Sequence, residues 1–167
     1  MILHSAVLCY NNIGFLVLGD FNHGKTTLCL EASKFNFKIL SADQSIIQIK
    51  NNHIFLTNGS KYLRVRGEDD LIINEAFGDI EIKYILNLIG LCEYGKATFE
   101  LITDYNYKIK TLFKYLTWHS DIPLFTDNSL LNVDRVLIKE WLGKINIPVY
   151  NVRGNNIEII NIMKELK

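Results

Sequence analysis

The stretch FLVLGDFNHGKTTLCLEA, residues 15–32, constrains the fold more than any other part of the chain. An apolar run ends at Gly19, four residues follow, and Gly24-Lys25-Thr26 opens a second patterned run. A loop that holds phosphate needs backbone N–H groups converging on anionic oxygens, with a helix N-terminus behind them. Glycines allow the close approach and the positive φ that this geometry demands. Lysine adds a point charge for the β and γ phosphates, and a hydroxyl just after it suits Mg²⁺. Gly19, Gly24, Lys25 and Thr26 fill these places, with Asp20, Phe21, Asn22, His23 and Thr27 completing the loop and its exit. A plain bend between a strand and a helix would need the glycines but not Lys-Thr. The pattern therefore predicts a strand, a phosphate loop and a helix in that order, and a bound ATP or GTP with Mg²⁺.

Such a loop usually works with an acidic group at a nearby strand end. Asp43 closes the short apolar run FKILSAD, 37–43, after one helix and one strand. It is the candidate metal-side or catalytic carboxylate, the alternative being an ordinary turn residue.

The remaining pattern reads as one mixed α/β domain over 1–167. ILHSAVLCY, 2–10, and IGFLVL, 13–18, are β-rich and joined by Asn11-Asn12, a pair that accepts left-handed turn angles. A helix follows over 25–34. SIIQIK, 45–50, alternates, turns at Asn51-Asn52 and continues into HIFL; YLRVR, 62–66, also alternates. EIKYILNLIGLC, 81–92, fits a central strand or a buried helix, and its isoleucines and the following Gly95 favour a strand. KATFELIT, 96–103, reads as a strand. Helices are expected over 104–118 with Asp104 as cap, over 129–145, and over 155–166 with Asn155 or Asn156 as cap. IPVYNVR, 147–153, reads as a strand.

The 167 residues suffice for one domain with a sizeable core. Eighteen basic and 18 acidic side chains leave no net charge to steer the protein toward nucleic acid or a membrane surface. Cys9, Cys29 and Cys92 lie in apolar surroundings without metal-ligand spacing and read as buried thiols. With no signal-like segment, they imply a reducing cytoplasm. No apolar run is long enough to span a membrane.

Other residues read more plainly. His23 either touches phosphate or sits solvated at the loop tip. His53 is expected as an exposed turn residue, and His119 at a helix end packed on the core. Lys108, Lys110 and Lys114 are expected on a solvated helix face. Tyr105, Tyr107 and Tyr115 are expected in core and rim, and Glu68-Asp69-Asp70 in a loop.

The chain has no Asn-Lys-x-Asp base-reading motif, no Ser-Gly-Gly signature and no arginine-rich lid. Its ordered motifs instead resemble the catalytic domain of the HPr kinase/phosphorylase family, bacterial protein-serine kinases built on a phosphate loop. That domain opens with a His-containing strand, matched by His4 in LHSAVL. A hairpin leads to G-[DE]-S-G-x-G-K-[ST], matched by Gly19 to Thr26. A helix then leads to a hydrophobic-[VS]-A-D-D segment, matched by Leu40-Ser41-Ala42-Asp43-Gln44. Arg64-Val65-Arg66-Gly67 is similar to a family E-I-R-G stretch, and 147–159 loosely resembles P-V-[RK]-P-G-R-N.

The resemblance implies a mixed sheet with a phosphate loop, of the kind shared with phosphoenolpyruvate carboxykinases. It implies an ATP- and Mg²⁺-dependent kinase acting on a serine of a peptide or protein. Lys25 would contact phosphates, Thr26 and Asp43 would lie at the metal, and Asp43 would take the hydroxyl proton. His4 would sit near the transferring phosphate, and Arg153 in a substrate- or phosphate-facing loop. Ring-like homo-oligomers are frequent in the family. The family's regulatory N-terminal domain has no counterpart before His4, so a stand-alone catalytic domain is expected. Short relatives of that kind occur in peptide-tailoring gene sets. Three departures stand out: the bulky Phe21-Asn22-His23 tip, Gln44 in place of a second acid, and Arg64 where the family has glutamate. A nucleotide-binding regulatory or assembly module without catalysis is the alternative, with a small-molecule kinase a weaker third.

Overall fold

The computed structural model of the protein describes residues 2–60, 62–63, 71–72, 80–92, 95–116, 139–140 and 142–166. Strands β1 (Ile2–His4), β2 (Ala6–Tyr10) and β3 (Ile13–Gly19) lead into helix α1 (Lys25–Ser33). There follow β4 (Lys38–Ser41), β5 (Gln44–Lys50), β6 (His53–Gly59), β7 (Tyr62–Leu63) and β8 (Leu71–Ile72). The long β9 (Ile80–Leu91), β10 (Thr98–Leu101), α2 (Tyr105–Lys114), β11 (Val149–Gly154) and α3 (Asn156–Glu165) complete the order.

Nine strands form one sheet, ordered β1-β5-β6-β9-β3-β2-β4, with β11 also on β9 and β10 on β11. β9 runs parallel to both β3 and β11, and the other pairings are antiparallel. β7 and β8 pair separately. The expected mixed α/β fold is therefore present.

Two tight hairpins have the same cause. Asn11-Asn12 and Asn51-Asn52 take φ of 50° and 63°, and 51° and 64°, the left-handed pair that joins twisted antiparallel strands with two residues. The apolar run 2–10 is not one strand, however. It breaks at buried Ser5, because β1 pairs with β5 while β2 pairs with β3 and β4.

Alternate residues of the strands feed two cores, one on each face of the sheet. Leu16 and Leu18 of β3 join Ile82 and Ile85 of β9 under Ile109 and Leu112 of α2. Phe15 and Val17 join Leu86 and Leu88 under Leu28 and Ala32 of α1 and Ile159, Ile160 and Met163 of α3. β9 is buried on both faces through Tyr84–Leu88, which explains its near-continuous apolar run. Asp104 caps α2, accepting from Tyr107 N at 2.6 Å, and Asn155 caps α3, accepting from Ile157 N at 2.9 Å.

Several expectations change. Cys9 and Cys29 are buried, but Cys92 is exposed, because it lies just past the end of β9 where the sheet stops covering the chain. Burial pushes the Cys29 thiol up to about 12, so it is an inert core group. Lys108 is not on a solvated face: its Nζ donates to the carbonyls of Ile145 at 2.7 Å and Ile147 at 3.0 Å. Burial lowers its pKa. Of the three tyrosines, Tyr115 is core, while Tyr105 and Tyr107 are exposed. His53 is exposed as expected, and its Nδ1 contacts the Glu81 carboxylate. Arg64–Asp70, His119 and nearly all of the expected 129–145 helix lie outside the described residues; 139–140 and 142–143 are helical.

Candidate functional site

Strand register brings the site together. β2 is antiparallel to β3 with Ala6 opposite Val17, and to β4 with Val7 opposite Ser41. The start of β2 and the ends of β3 and β4 therefore share one edge. There Ser5 N donates to Asp43 O at 3.0 Å, and His4 stands opposite Gln44. His4, Gly19 and Asp43, far apart in sequence, meet at this edge.

Small hydroxyl residues fix the turn that carries Asp43. Ser41 Oγ donates to Gln44 O at 2.6 Å, and Ser45 Oγ lies 3.1 Å from Ser41 Oγ and 3.2 Å from Ser5 O. Ser5, Ser41 and Ser45 are all fully buried. Satisfied buried hydroxyls of this kind rigidify what they hold. Asp43 itself stays 63% exposed, open to an incoming group.

The loop between β3 and α1 has the geometry the motif predicts. Asn22 and Gly24 take φ of 64° and 84°, and Gly24 is the N-cap of α1 with no side chain capping it. The first backbone N–H groups of α1 are thus left for a ligand rather than for a side-chain cap. A Cβ at position 24 would overlap the Leu91 side chain, so glycine is required there for space as well as for φ.

Lys25 is 9% exposed, and its Nζ donates to Gly19 O at 2.6 Å and Asp20 O at 3.4 Å. Burial lowers its pKa, and the carboxylates of Asp43 and Asp20 oppose that shift. Thr26 and Thr27 follow in the first turn of α1, half-buried and exposed respectively.

His4 Nδ1 lies 3.4 Å from Asp43 Oδ1, and the Phe21 ring stacks on the imidazole at 5.3 Å and 28°. Its Nε2 is buried without a hydrogen-bond partner among the described residues. Burial and the nearby Lys25 ammonium lower the His4 pKa, against the pull of Asp43 and Asp20. The lowered pKa favours a neutral imidazole at pH 7.

The far side of the loop leans on β9 and α2. His23 Nδ1 lies 2.9 Å from Leu88 O, so His23 is not a solvated tip residue; it anchors the loop to β9. Asp20 Oδ2 accepts from Lys114 Nζ at 2.5 Å, which holds the Asp20 carboxyl below its ordinary value. Lys114 is exposed, as expected of a solvated face, and pairs with Asp20 there. Behind it, Tyr115 OH donates to Asn87 Oδ1 at 3.1 Å, and Asn87 Nδ2 donates to Asn151 Oδ1 at 2.8 Å. The sequence reading missed Lys114, Asn87 and Asn151. The one signal for Asn87 was an amide in the middle of the apolar run ILNLIG.

Arg153 lies not in a loop, as expected, but near the C-terminal end of strand β11, two strands from β3 in the sheet. The donor set suits a hard cation: a Thr26 hydroxyl and an Asp43 carboxylate are oxygen ligands. Among the described residues no three His, Cys, Asp or Glu side chains gather into a metal site. Mg²⁺ at this loop would take its remaining ligands from phosphate oxygens and water, as such sites ordinarily do. Among the described residues, no helix is long and apolar enough to cross a membrane.

No protein-family model matches the chain, and no curated protein matches it. A similar solved structure is that of the Hpr(Ser) kinase/phosphatase from Coxiella burnetii, with a TM-score of 0.59 and 15% identity. The match covers 99% of this chain and 95% of that one. At this identity the likeness is one of fold: the chain has the fold of that kinase/phosphatase, with the expected strand–loop–helix unit at its centre.

Proposed function

We propose that the protein is a nucleotide- and Mg²⁺-dependent kinase that transfers the terminal phosphoryl group of ATP or GTP to a serine hydroxyl of a peptide or protein. The observation that carries this reading is the meeting of Lys25, His4 and an exposed Asp43 at one sheet edge beside an uncapped helix N-terminus. A structural turn needs none of the three.

In this reading the first N–H groups of α1 and the Lys25 ammonium bind the phosphates, with Lys25 exchanging its bonds to Gly19 O and Asp20 O for phosphate oxygens. Thr26 and Asp43 would hold Mg²⁺, which when bound neutralises charge on the β and γ oxygens. Asp43 takes the proton of the acceptor hydroxyl as its oxygen bonds to the terminal phosphorus and the bridging P–O bond breaks. His4, neutral and stacked under Phe21, orients the Asp43 carboxylate. The rate gain comes from positioning and charge stabilisation.

The test is transfer of label from γ-labelled ATP to seryl peptides. Asp43→Asn is expected to keep metal-free nucleotide binding, to weaken Mg²⁺ binding through its lost carboxylate, and to lose at least about 10²–10⁴-fold in transfer, the worth of a general base. Full transfer by Asp43→Asn would remove its role. One observation favours a second reading, a nucleotide-binding module without catalysis: the exposed residue after Asp43 is the amide Gln44, not a second acid. Nucleotide binding by the unaltered protein with neither transfer nor hydrolysis would decide for that module.

A further inference from the structure

The phosphate loop has two flanks, and only one is used by the chemistry above. Phe21 leans on His4 toward Asp43, whereas His23 and Asp20 lean on Leu88 and Lys114. On that second flank a groove of about 520 Å³ opens between the loop, the end of β9 and α2. That volume suits a small-molecule ligand.

The wall supplied by α2 is a built stripe. Tyr107, Lys110, Thr111 and Lys114 recur at i, i+3, i+4 and i+7, on one helix face, and all four line the groove. Ile109 and Leu112, on another face, are buried in the core and fix the orientation of the helix. Asp104 and Lys108 secure its start through the bonds described above. The charges are also arranged. Lys114 already neutralises Asp20, so the carboxylate at the mouth does not repel an anion. Lys110 is exposed and has no ion-pair partner among the described residues, leaving the groove one net positive charge. Tyr107 and Ile89 add exposed apolar surface, 46% and 37% accessible, on its two sides.

An acceptor hydroxyl has to reach Asp43 on the opposite flank. The groove begins at Asp20 and His23 of the loop itself, on the side away from Phe21 and His4, so it adjoins the loop where the other end of a nucleotide pointing its terminal phosphate at Asp43 could lie. Resting on the phosphate-loop reading, we propose that the groove holds the nucleoside end of the nucleotide: Lys110 meets the α-phosphate and ribose, and Tyr107 and Ile89 pack against the base. Helix α2, which carries no recognisable nucleotide motif, is then a nucleotide-binding element.

Calorimetric titration of the full chain with ATP and with inorganic triphosphate, both with Mg²⁺, tests this. Stacking on a base contributes roughly 1–3 kcal/mol, so ATP is expected to bind about tenfold or more tightly than triphosphate. In the double variant Tyr107→Ala/Ile89→Ala the ATP advantage is expected to vanish, with triphosphate affinity within about threefold of the unaltered protein. Both side chains are exposed, so an unchanged unfolding midpoint is expected alongside. Equal affinity for ATP and triphosphate in the unaltered protein, or an ATP advantage that survives the double substitution, would overturn the groove assignment and leave the phosphate loop standing. Binding of neither ligand would overturn both.

Discussion

Opposed forces act on His4: burial and Lys25 disfavour its charge, while Asp43 and Asp20 favour it. Replacing Lys25 by Met removes one of the two disfavouring causes, so the His4 pKa should rise in an NMR titration. An unchanged value would contradict the closeness of the two side chains. Because the folded-state pKa lies below the ordinary 6.5, the unfolded chain takes up the proton first as pH falls. The contribution is fully present above 6.5 and is lost as pH falls through the folded-state value, so His4→Gln should flatten that part of the pH–stability curve. The strand–loop–helix unit that carries Gly19, Gly24, Lys25 and Thr26 was legible in the sequence because it is a local object with local spacing. Lys114 and Asn87 were not. Each acts through a partner far along the chain, Asp20 and Asn151, and residue type gives no clue to such pairs.

At the scale of elements, α2 owes its proposed role entirely to placement. Its N-cap bond from Tyr107 N to Asp104 is the handle on it. Asp104→Ala should cost about 1 kcal/mol in urea unfolding, the usual worth of such a cap. Substituting exposed Asn106 by Ala, on the same turn but outside the cap, should cost far less. Equal losses would show that the cap is not what holds the helix. The hairpins at Asn11-Asn12 and Asn51-Asn52 and both caps were readable, since turn and cap chemistry is written in a few adjacent residues. The break of the first apolar run at Ser5 was not, because it records a change of strand neighbours rather than a change of composition. Likewise 81–92 carried no period to separate strand from buried helix: a strand covered on both faces loses its alternation.

The described residues are built on a sheet whose parallel centre, β3-β9-β11, delivers its strand ends to one edge, while the end of β1 and the turn after β4 bring His4 and Asp43 to the same place. The mixed fold class followed from the order of elements. The sheet order did not, since it depends on which strands β9 chooses as neighbours, and that is settled by packing two cores at once. The central claim is that this edge grips a nucleotide through Lys25. Equilibrium titration of Mg-ATP into the unaltered protein and into Lys25→Met tests it most directly. Losing one buried charge-assisted contact worth about 1.5–3 kcal/mol predicts an affinity at least tenfold weaker in the variant, with the fold intact. Saturable binding of equal strength in both proteins would contradict the account.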